Sequence, residues 1–299
     1  MKGQAALIAA NSVGAGLTGS EFSMSKRDFD EIAAMLYADA GIYLPPSKVN
    51  LVYSRLAKRL RALGLESFRD YCQLVGAPDG ADERLEMLSA LTTNVTRFFR
   101  ESHHFEHLKV EVLPPLLESA RRGGRARLWS AACSSGQEPY SMALTALSVD
   151  ASAAAYDVKI LATDIDPRVV ADGERGAYAE AALVDVPPAL RQRYFIPPAR
   201  GARPEWRVAD ELRRLVVFRT LNLNADWPMR GKFAAIFCRN VVIYFDEATQ
   251  QRVWSRFVDK LEPKGWLYIG HSERVTGPAA SRLFSQGVTA YRLDAGRGA

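Results

Sequence analysis

The chain has 299 residues, enough for one large domain or two smaller ones with a sizeable core. Its 48% hydrophobic and 24% charged residues are ordinary for a soluble globular protein, and no apolar run is long enough to span a bilayer. A net charge of +5 points to an acidic partner, without choosing between nucleic acid, an acidic protein surface and an anionic membrane.

Residues 1–21 hold one lysine and a short Ala-rich patch broken at Asn11, so they read as a flexible tail rather than a signal peptide. Phe29, Ile32, Ala33, Leu36 and Tyr37 then recur at helical spacing, closed by Gly41 and Pro45-Pro46, and Ser47 can cap a second helix. That helix joins an apolar stripe (Val52, Leu56, Leu60, Leu63) to five positive charges, Lys48, Arg55, Lys58, Arg59 and Arg61. No acidic residue lies between 47 and 63, so the charges are either a solvated face or a docking surface for an acidic partner. Shorter helices at 67–75 and 81–91 flank the turn Gly76-Ala77-Pro78-Asp79-Gly80, which makes residues 22–90 a small all-α unit.

Further on, strand and helix alternate. Strands are expected at 126–130, 159–163, 215–220, 233–238 and 266–270, and helices at 139–149, 167–173 and 247–261, with a turn at Pro263-Lys264-Gly265. This is the order of a doubly wound α/β sheet, which binds ligands at the carboxyl ends of its strands. Residues 178–215 interrupt the alternation with Pro187-Pro188, Pro197-Pro198 and Pro204 between aromatic and β-branched flanks, so a small antiparallel β insertion is expected there.

Residues 128–141 read as strand, small-residue loop and helix around Gly136, without the dinucleotide fingerprint. Small side chains there would let the backbone approach a ligand. Asp164 ends the second strand at about the separation expected of an acid that accepts ribose hydroxyls, the reading favoured over an ordinary turn acid beside Asp166-Pro167. Glu138 is either a helix-dipole partner or the counter-charge of a cofactor amine or sulfonium. In the segment 91–105, Asn94 and Thr96 offer hydrogen bonds, Phe98 and Phe99 packing, and Arg97 and Arg100 charge, as an interdomain linker or as part of a site. Asn222-Leu223, Asn240 and Tyr244 fall at the active edge of the expected sheet. Cys72, Cys133 and Cys238 are widely spaced and form no C-x-x-C, which argues against disulfides or structural zinc and fits a reducing cytoplasm. His103, His104 and His107 lack the H-E-x-x-H arrangement, so no metal is expected.

Together and in order, 91–105, 130–141, 162–166, 233–245 and Gly270-His271-Ser272-Glu273 resemble the chemotaxis-receptor protein-glutamate O-methyltransferases, the CheR-type family. The resemblance implies an all-α receptor-docking domain (22–90) and a linker (91–105) contributing to the active site. It implies a Rossmann-like S-adenosylmethionine-binding domain (106–293) with the inserted β-subdomain, and a flexible C-terminus (294–299). Cofactor residues would be Asn94, Thr96, Arg100, Glu138, Asp164, Asn222, Leu223, Arg239 and Asn240, with Arg100 and Tyr244 nearest the reacting carboxylate. Gln137 stands where many relatives have an acid, which matters little if Glu138 is the functional one.

The expected reaction transfers methyl from S-adenosylmethionine to chemoreceptor glutamates, giving glutamyl methyl esters and S-adenosylhomocysteine. Glutamate is ionised at neutral pH (reference pKa about 4.3), so no general base is required. Lys48, Arg55, Lys58, Arg59 and Arg61 would dock the receptor's cytoplasmic helical domain, and some relatives bind a receptor C-terminal peptide at the β-subdomain. A cytoplasmic monomer is expected, with neither nucleic acid nor membrane insertion. Two rivals remain: a nucleic-acid methyltransferase, favoured by charge but lacking a Pro-Cys nucleophile or an Asp/Asn-Pro-Pro-aromatic motif, and a non-catalytic cofactor-sensing scaffold.

Overall fold

The computed structural model describes residues 21–92, 94–199, 201 and 203–294. The expected flexible ends lie outside these, apart from Glu21 and Asp294. Internal contacts divide the chain into two units, Met1–Thr93 and Asn94–Ala299.

The described residues of the first unit form four α-helices, α1 (Lys26–Ala40), α2 (Val49–Leu63), α3 (Phe68–Gly76) and α4 (Ala81–Leu91). A capping box starts α1: Asp28 N–H donates to the Ser25 hydroxyl at 3.2 Å, and Ser25 N–H donates to the Asp28 carboxylate at 2.8 Å. Each helix buries one stripe, with Phe29, Ile32 and Leu36 from α1, Val52, Leu56 and Leu60 from α2, and Phe68 and Tyr71 from α3. Tyr37 and Leu63, expected in those stripes, are exposed.

The basic face of α2 is largely engaged within its own domain. Arg55 Nη1 donates to the carbonyls of Leu91 (2.7 Å) and Thr92 (3.0 Å), meeting acceptors that the end of α4 leaves open. Arg59 grips Glu83 with two hydrogen bonds (2.9 and 2.5 Å) and lies 3.3 Å from Glu86, while the Tyr71 hydroxyl donates to the same Glu83. Arg61 pairs with Glu21 at 2.7 Å. Three of the five charges therefore serve the domain's own cohesion. Lys48 and Lys58 are exposed and form no ion pair among the described residues.

The second unit opens with α5 (His103–His107), which widens into a π-helical turn at Leu108–Val112 before α6 (Leu113–Arg121). Pro114 and Pro115 have no N–H to return to that turn, and the ladder loosens ahead of them. Then follow β1 (Ala126–Ala131), α7 (Gln137–Val149), β2 (Val158–Asp164), α8 (Pro167–Arg175), β3 (Ala177–Ala179), α9 (Pro188–Tyr194), β4 (Phe195–Ile196) and β5 (Glu205–Val208). The chain continues through α10 (Asp210–Arg213), β6 (Val216–Thr220), β7 (Phe233–Cys238), α11 (Glu247–Lys260), β8 (Leu261–Ile269), β9 (Leu283–Ser285) and β10 (Ala290–Leu293).

Seven strands form one sheet in the order β6-β2-β1-β7-β8-β10-β9, parallel except for β10. Leu128 of β1 is in register with Ile160 on one side and Ala235 on the other. Every residue of β7 is buried, as a strand covered on both faces requires. The chain leaves β1 toward β2 and β6, then returns to β7 on the opposite side. The crevice at this reversal, at the carboxyl ends of β1 and β7, is where such sheets bind ligands. The expected insertion is a separate antiparallel sheet, β3-β5-β4. Phe98 packs edge-on against Tyr178 (5.1 Å) and Phe195 (5.7 Å), tying the segment before α5 to this sheet.

The turn expected at 263–265 falls within the span of β8: Lys264 has φ 64°, and the pairing with β7 steps from Phe233–Leu261 to Ala235–Trp266, so three extra residues of β8 loop out between these pairs. The antiparallel β9 and β10 were not anticipated, because three- and four-residue strands carry little alternation. Among the described residues no helix is long and apolar enough to cross a membrane.

Candidate active site

Three loops converge at the carboxyl edge of the sheet: 94–101 before α5, 132–136 between β1 and α7, and 239–244 after β7. Seven non-glycine residues among those described have positive φ, and five are in these loops: Phe99, Glu101, Ala132, Ser134 and Asn240, at 49° to 70°. Left-handed backbone costs a side-chain-bearing residue on the order of 1–2 kcal/mol. Strain gathered this way is held in place by surrounding contacts and marks functional loops. Gly136 has φ 95°, and a Cβ there would come within 2.8 Å of Tyr178 Oη and 2.9 Å of Gly173 Cα. Its smallness thus serves close packing within the protein, which refines the expectation that it clears room for a ligand.

Arg239 joins the loops. Its side chain is 2% exposed; Nη1 donates to Glu138 Oε2 at 3.0 Å, and Nη2 donates to the Arg100 carbonyl and lies 3.3 Å from Glu101 Oε2. The other Glu138 oxygen accepts from the Ser130 hydroxyl at 2.7 Å. Burial pushes the Glu138 carboxyl above its ordinary range, opposed by Arg239 and Ser130. Burial also pushes on Glu101, but Arg239, His271 and His104 outweigh it and hold that carboxyl low. The Phe99 N–H donates to the Ser141 hydroxyl at 2.9 Å, fastening the first loop to α7 as well.

The remaining expected residues sit around this knot. The Arg100 side chain is half-buried, with Nη1 donating to the Val95 carbonyl at 3.0 Å. Thr96 is half-buried in the same loop. Tyr244 is half-buried in the 3-10 turn Val242–Tyr244, its hydroxyl without a hydrogen bond among the described residues. Asp164 accepts from Ser134 N–H (2.8 Å) and Asp166 N–H (3.1 Å); burial raises its carboxyl and these N–H groups lower it. Asp166 caps α8 and accepts from Asn94 Nδ2 at 3.4 Å, while the Ser134 hydroxyl donates to the Asn94 carbonyl at 3.0 Å. Past β6, the Leu221 N–H donates to the Asp164 carbonyl, Asn222 Oδ1 accepts from Asn224 N–H, and Leu223 is buried. Cys133 and Cys238 are buried, and burial holds both thiols well above their ordinary range, so neither is a nucleophile.

Glu273 is the residue to which the sequence assigned no role. Its carboxylate, 4% exposed, accepts from the N–H groups of Asn240 (3.0 Å), Val241 (2.9 Å), Val242 (3.0 Å) and Gly270 (2.6 Å). A Cβ on Gly270 would fall 2.5 Å from Asn240 Nδ2 and 2.9 Å from Glu273 Oε2. Gly270 and Glu273 are thus one device that fixes the loop bearing Asn240 and Tyr244. The only sequence signal was a Gly-x-x-Glu spacing after a strand.

Glu138, Asp164 and Asp166, with Arg239, make a buried and predominantly acidic edge. A carboxylate has about four acceptor directions, and the contacts of Asp164 leave some of them open. This donor and acceptor set suits a ligand with hydroxyls and positive charge, not a pyrophosphate. Residues 94–289 match the family described as CheR methyltransferase, SAM binding domain, and residues 27–92 match CheR methyltransferase, all-alpha domain. The chain is 57% identical over 258 residues to the probable chemotaxis protein methyltransferase of Rhizobium etli, covering 86% of this chain and 96% of that protein. It is 43% identical over 281 residues to chemotaxis protein methyltransferase 2 of Pseudomonas aeruginosa (91% and 94% covered). It is 42% identical over 278 residues to the chemotaxis protein methyltransferase of Escherichia coli (91% and 92% covered).

Glu273→Gln turns one acceptor atom into a donor facing other donors. It is expected to lower stability by about 1–3 kcal/mol and to speed amide exchange at Asn240, Val241 and Val242 before the rest of the sheet. Unchanged exchange at those three amides would contradict the anchoring role.

Proposed function

Because this chain belongs to the CheR methyltransferase family, we propose that it esterifies glutamate side chains as a protein-glutamate O-methyltransferase. It is an S-adenosylmethionine-dependent methyltransferase of chemoreceptors. The observation that carries the finer reading is the acidic edge at the sheet's reversal, knotted to Arg100 through Arg239.

In this reading Asp164 accepts the ribose hydroxyls, with Asn222 and Leu223 beside it on the next strand end. Glu138 and Arg239 face the amino-acid portion, and Asn94, Thr96, Arg100 and Asn240 complete the enclosure. Bound there, S-adenosylmethionine supplies a methyl group on a sulfonium, and the products are a glutamyl methyl ester and S-adenosylhomocysteine. Arg100 presents a planar guanidinium suited to two-pronged contact with the acceptor carboxylate. Its tether to the Val95 carbonyl orients that contact without closing a tight salt bridge that would quench the nucleophile. The Tyr244 hydroxyl is available to donate to the same carboxylate. No proton need be removed from an acceptor already ionised at neutral pH, so the work is alignment and exclusion of water.

In the N-terminal domain Lys48 and Lys58 meet the acidic receptor helices. Arg55, Arg59 and Arg61 are left out of this docking set because their charges are engaged within the domain. The edge strands β3 and β4 offer an extended receptor-tail peptide somewhere to pair.

With labelled S-adenosylmethionine and a receptor cytoplasmic domain, the label is expected on protein and to leave as methanol in mild alkali. Alkali-stable label, or label on added RNA or DNA, would refute the esterification. Lys48→Glu combined with Lys58→Glu is expected to raise KM for the receptor several-fold at low salt while leaving cofactor affinity unchanged, the difference shrinking as salt rises. An unaltered KM across salt concentrations would remove docking from this surface.

A further inference from the structure

Glu101, His103 and His104 bring three potential ligand atoms within 4.8 Å of one another. The H-E-x-x-H criterion looks for histidines four residues apart and passes over this group, which consists of near neighbours. His107, the other candidate, faces elsewhere, with Nδ1 2.7 Å from the Tyr268 hydroxyl.

Glu101 Oε2 pairs with Arg239 Nη2 at 3.3 Å, and the buried His104 Nδ1, without a hydrogen-bond partner among the described residues, lies 3.6 Å from that carboxylate oxygen. That separation is too long for an N–H···O bond. It is close to the edge of a tetrahedron whose metal–ligand bonds are about 2.0–2.1 Å, roughly 3.4 Å. His104 is fully buried, and its Nε2 meets the Thr289 hydroxyl at 2.8 Å, so the ring is held with Nδ1 toward Glu101. Such a contact on the far nitrogen is how metal-ligating imidazoles are oriented. His103 is exposed, its ring 4.1 Å from that of His104, and His271 Nδ1 stands 3.1 Å from Glu101 Oε1.

We propose that Glu101, His103 and His104 bind a divalent transition-metal ion such as Zn2+ and that the bound ion inhibits the enzyme. Two imidazoles and a carboxylate suit zinc or its neighbours rather than calcium or magnesium. Inhibition follows from position: the ion draws on the Glu101 carboxylate that lies 3.3 Å from Arg239, and so loosens the Arg239 contact with the Arg100 carbonyl. The binding rests on geometry alone, whereas the inhibition rests on the function proposed above. Thiol capture is no competing route, since Cys72, Cys133 and Cys238 are all buried.

The test uses the full chain, with Co2+ as a spectroscopic probe and Zn2+ as competitor. Wild-type protein is expected to take up one Co2+ with the intense visible bands of a tetrahedral site, displaced by Zn2+. Micromolar Zn2+ should slow receptor methylation, and a chelator should restore it. His103→Ala is expected to weaken metal binding by about tenfold or more and to escape inhibition, with its metal-free activity unchanged. Absence of Co2+ bands, or equal Zn2+ inhibition of His103→Ala, overturns the site. Binding without inhibition overturns the regulatory half. Wild-type protein that binds Co2+ but methylates no receptor when metal-free overturns the functional reading and upholds the site.

Discussion

Arg239 leaves β7 with its side chain almost wholly out of solvent, and an unpaired charge there would be strongly destabilising. Its counter-charges come from sequence positions far away: Glu138 in the first turn of α7 and Glu101 at the end of the segment before α5. The Arg100 carbonyl takes a further N–H. Because a guanidinium is planar and its donors are fixed, these partners are placed in angle as well as in distance. A buried ion pair is weak grounds for net stability, but removing one member costs about 3–5 kcal/mol. The three loops therefore hold a common arrangement or forfeit it together.

Around that knot the backbone is locally unfavourable and externally secured. Ala132 and Ser134 are left-handed, and the Asp164 carboxylate holds the Ser134 N–H. Asn240 is left-handed, and Glu273 holds its N–H and the two that follow. In each case a buried carboxylate near a strand end satisfies N–H groups that a turning loop cannot pair internally. Asp164 thus fixes the Ser134 loop, and in the proposed reading its remaining acceptor directions serve a ligand.

The sheet was legible in the sequence because its strands are short apolar runs separated by helical spacing, and covered strands such as β7 leave that signature. Asp164 stood out because it ends such a run at a recognisable distance from the Gly136 loop. The uses of α2 were not legible: a string of basic residues reads alike whether it faces solvent or meets carbonyls and carboxylates from α4, as Arg55 and Arg59 do. Glu273 and the Glu101–His104 pair were hidden for a related reason. Their meaning lies in contacts across the chain, Glu273 with Asn240 and His104 with Thr289, and no local spacing records these. The short β9 and β10 were lost because their pairing, rather than their composition, makes them strands.

The claim on which the account depends is that Arg239 and Glu138 act as one unit in setting the site. A double-mutant cycle with Arg239→Gln, Glu138→Gln and the double variant, read as the rate of receptor methylation, measures this directly. The double variant is predicted to be little worse than the more damaging single one, with a coupling of at least about 1.5 kcal/mol. Single losses that add to within about 0.5 kcal/mol would show two independent residues and contradict the account.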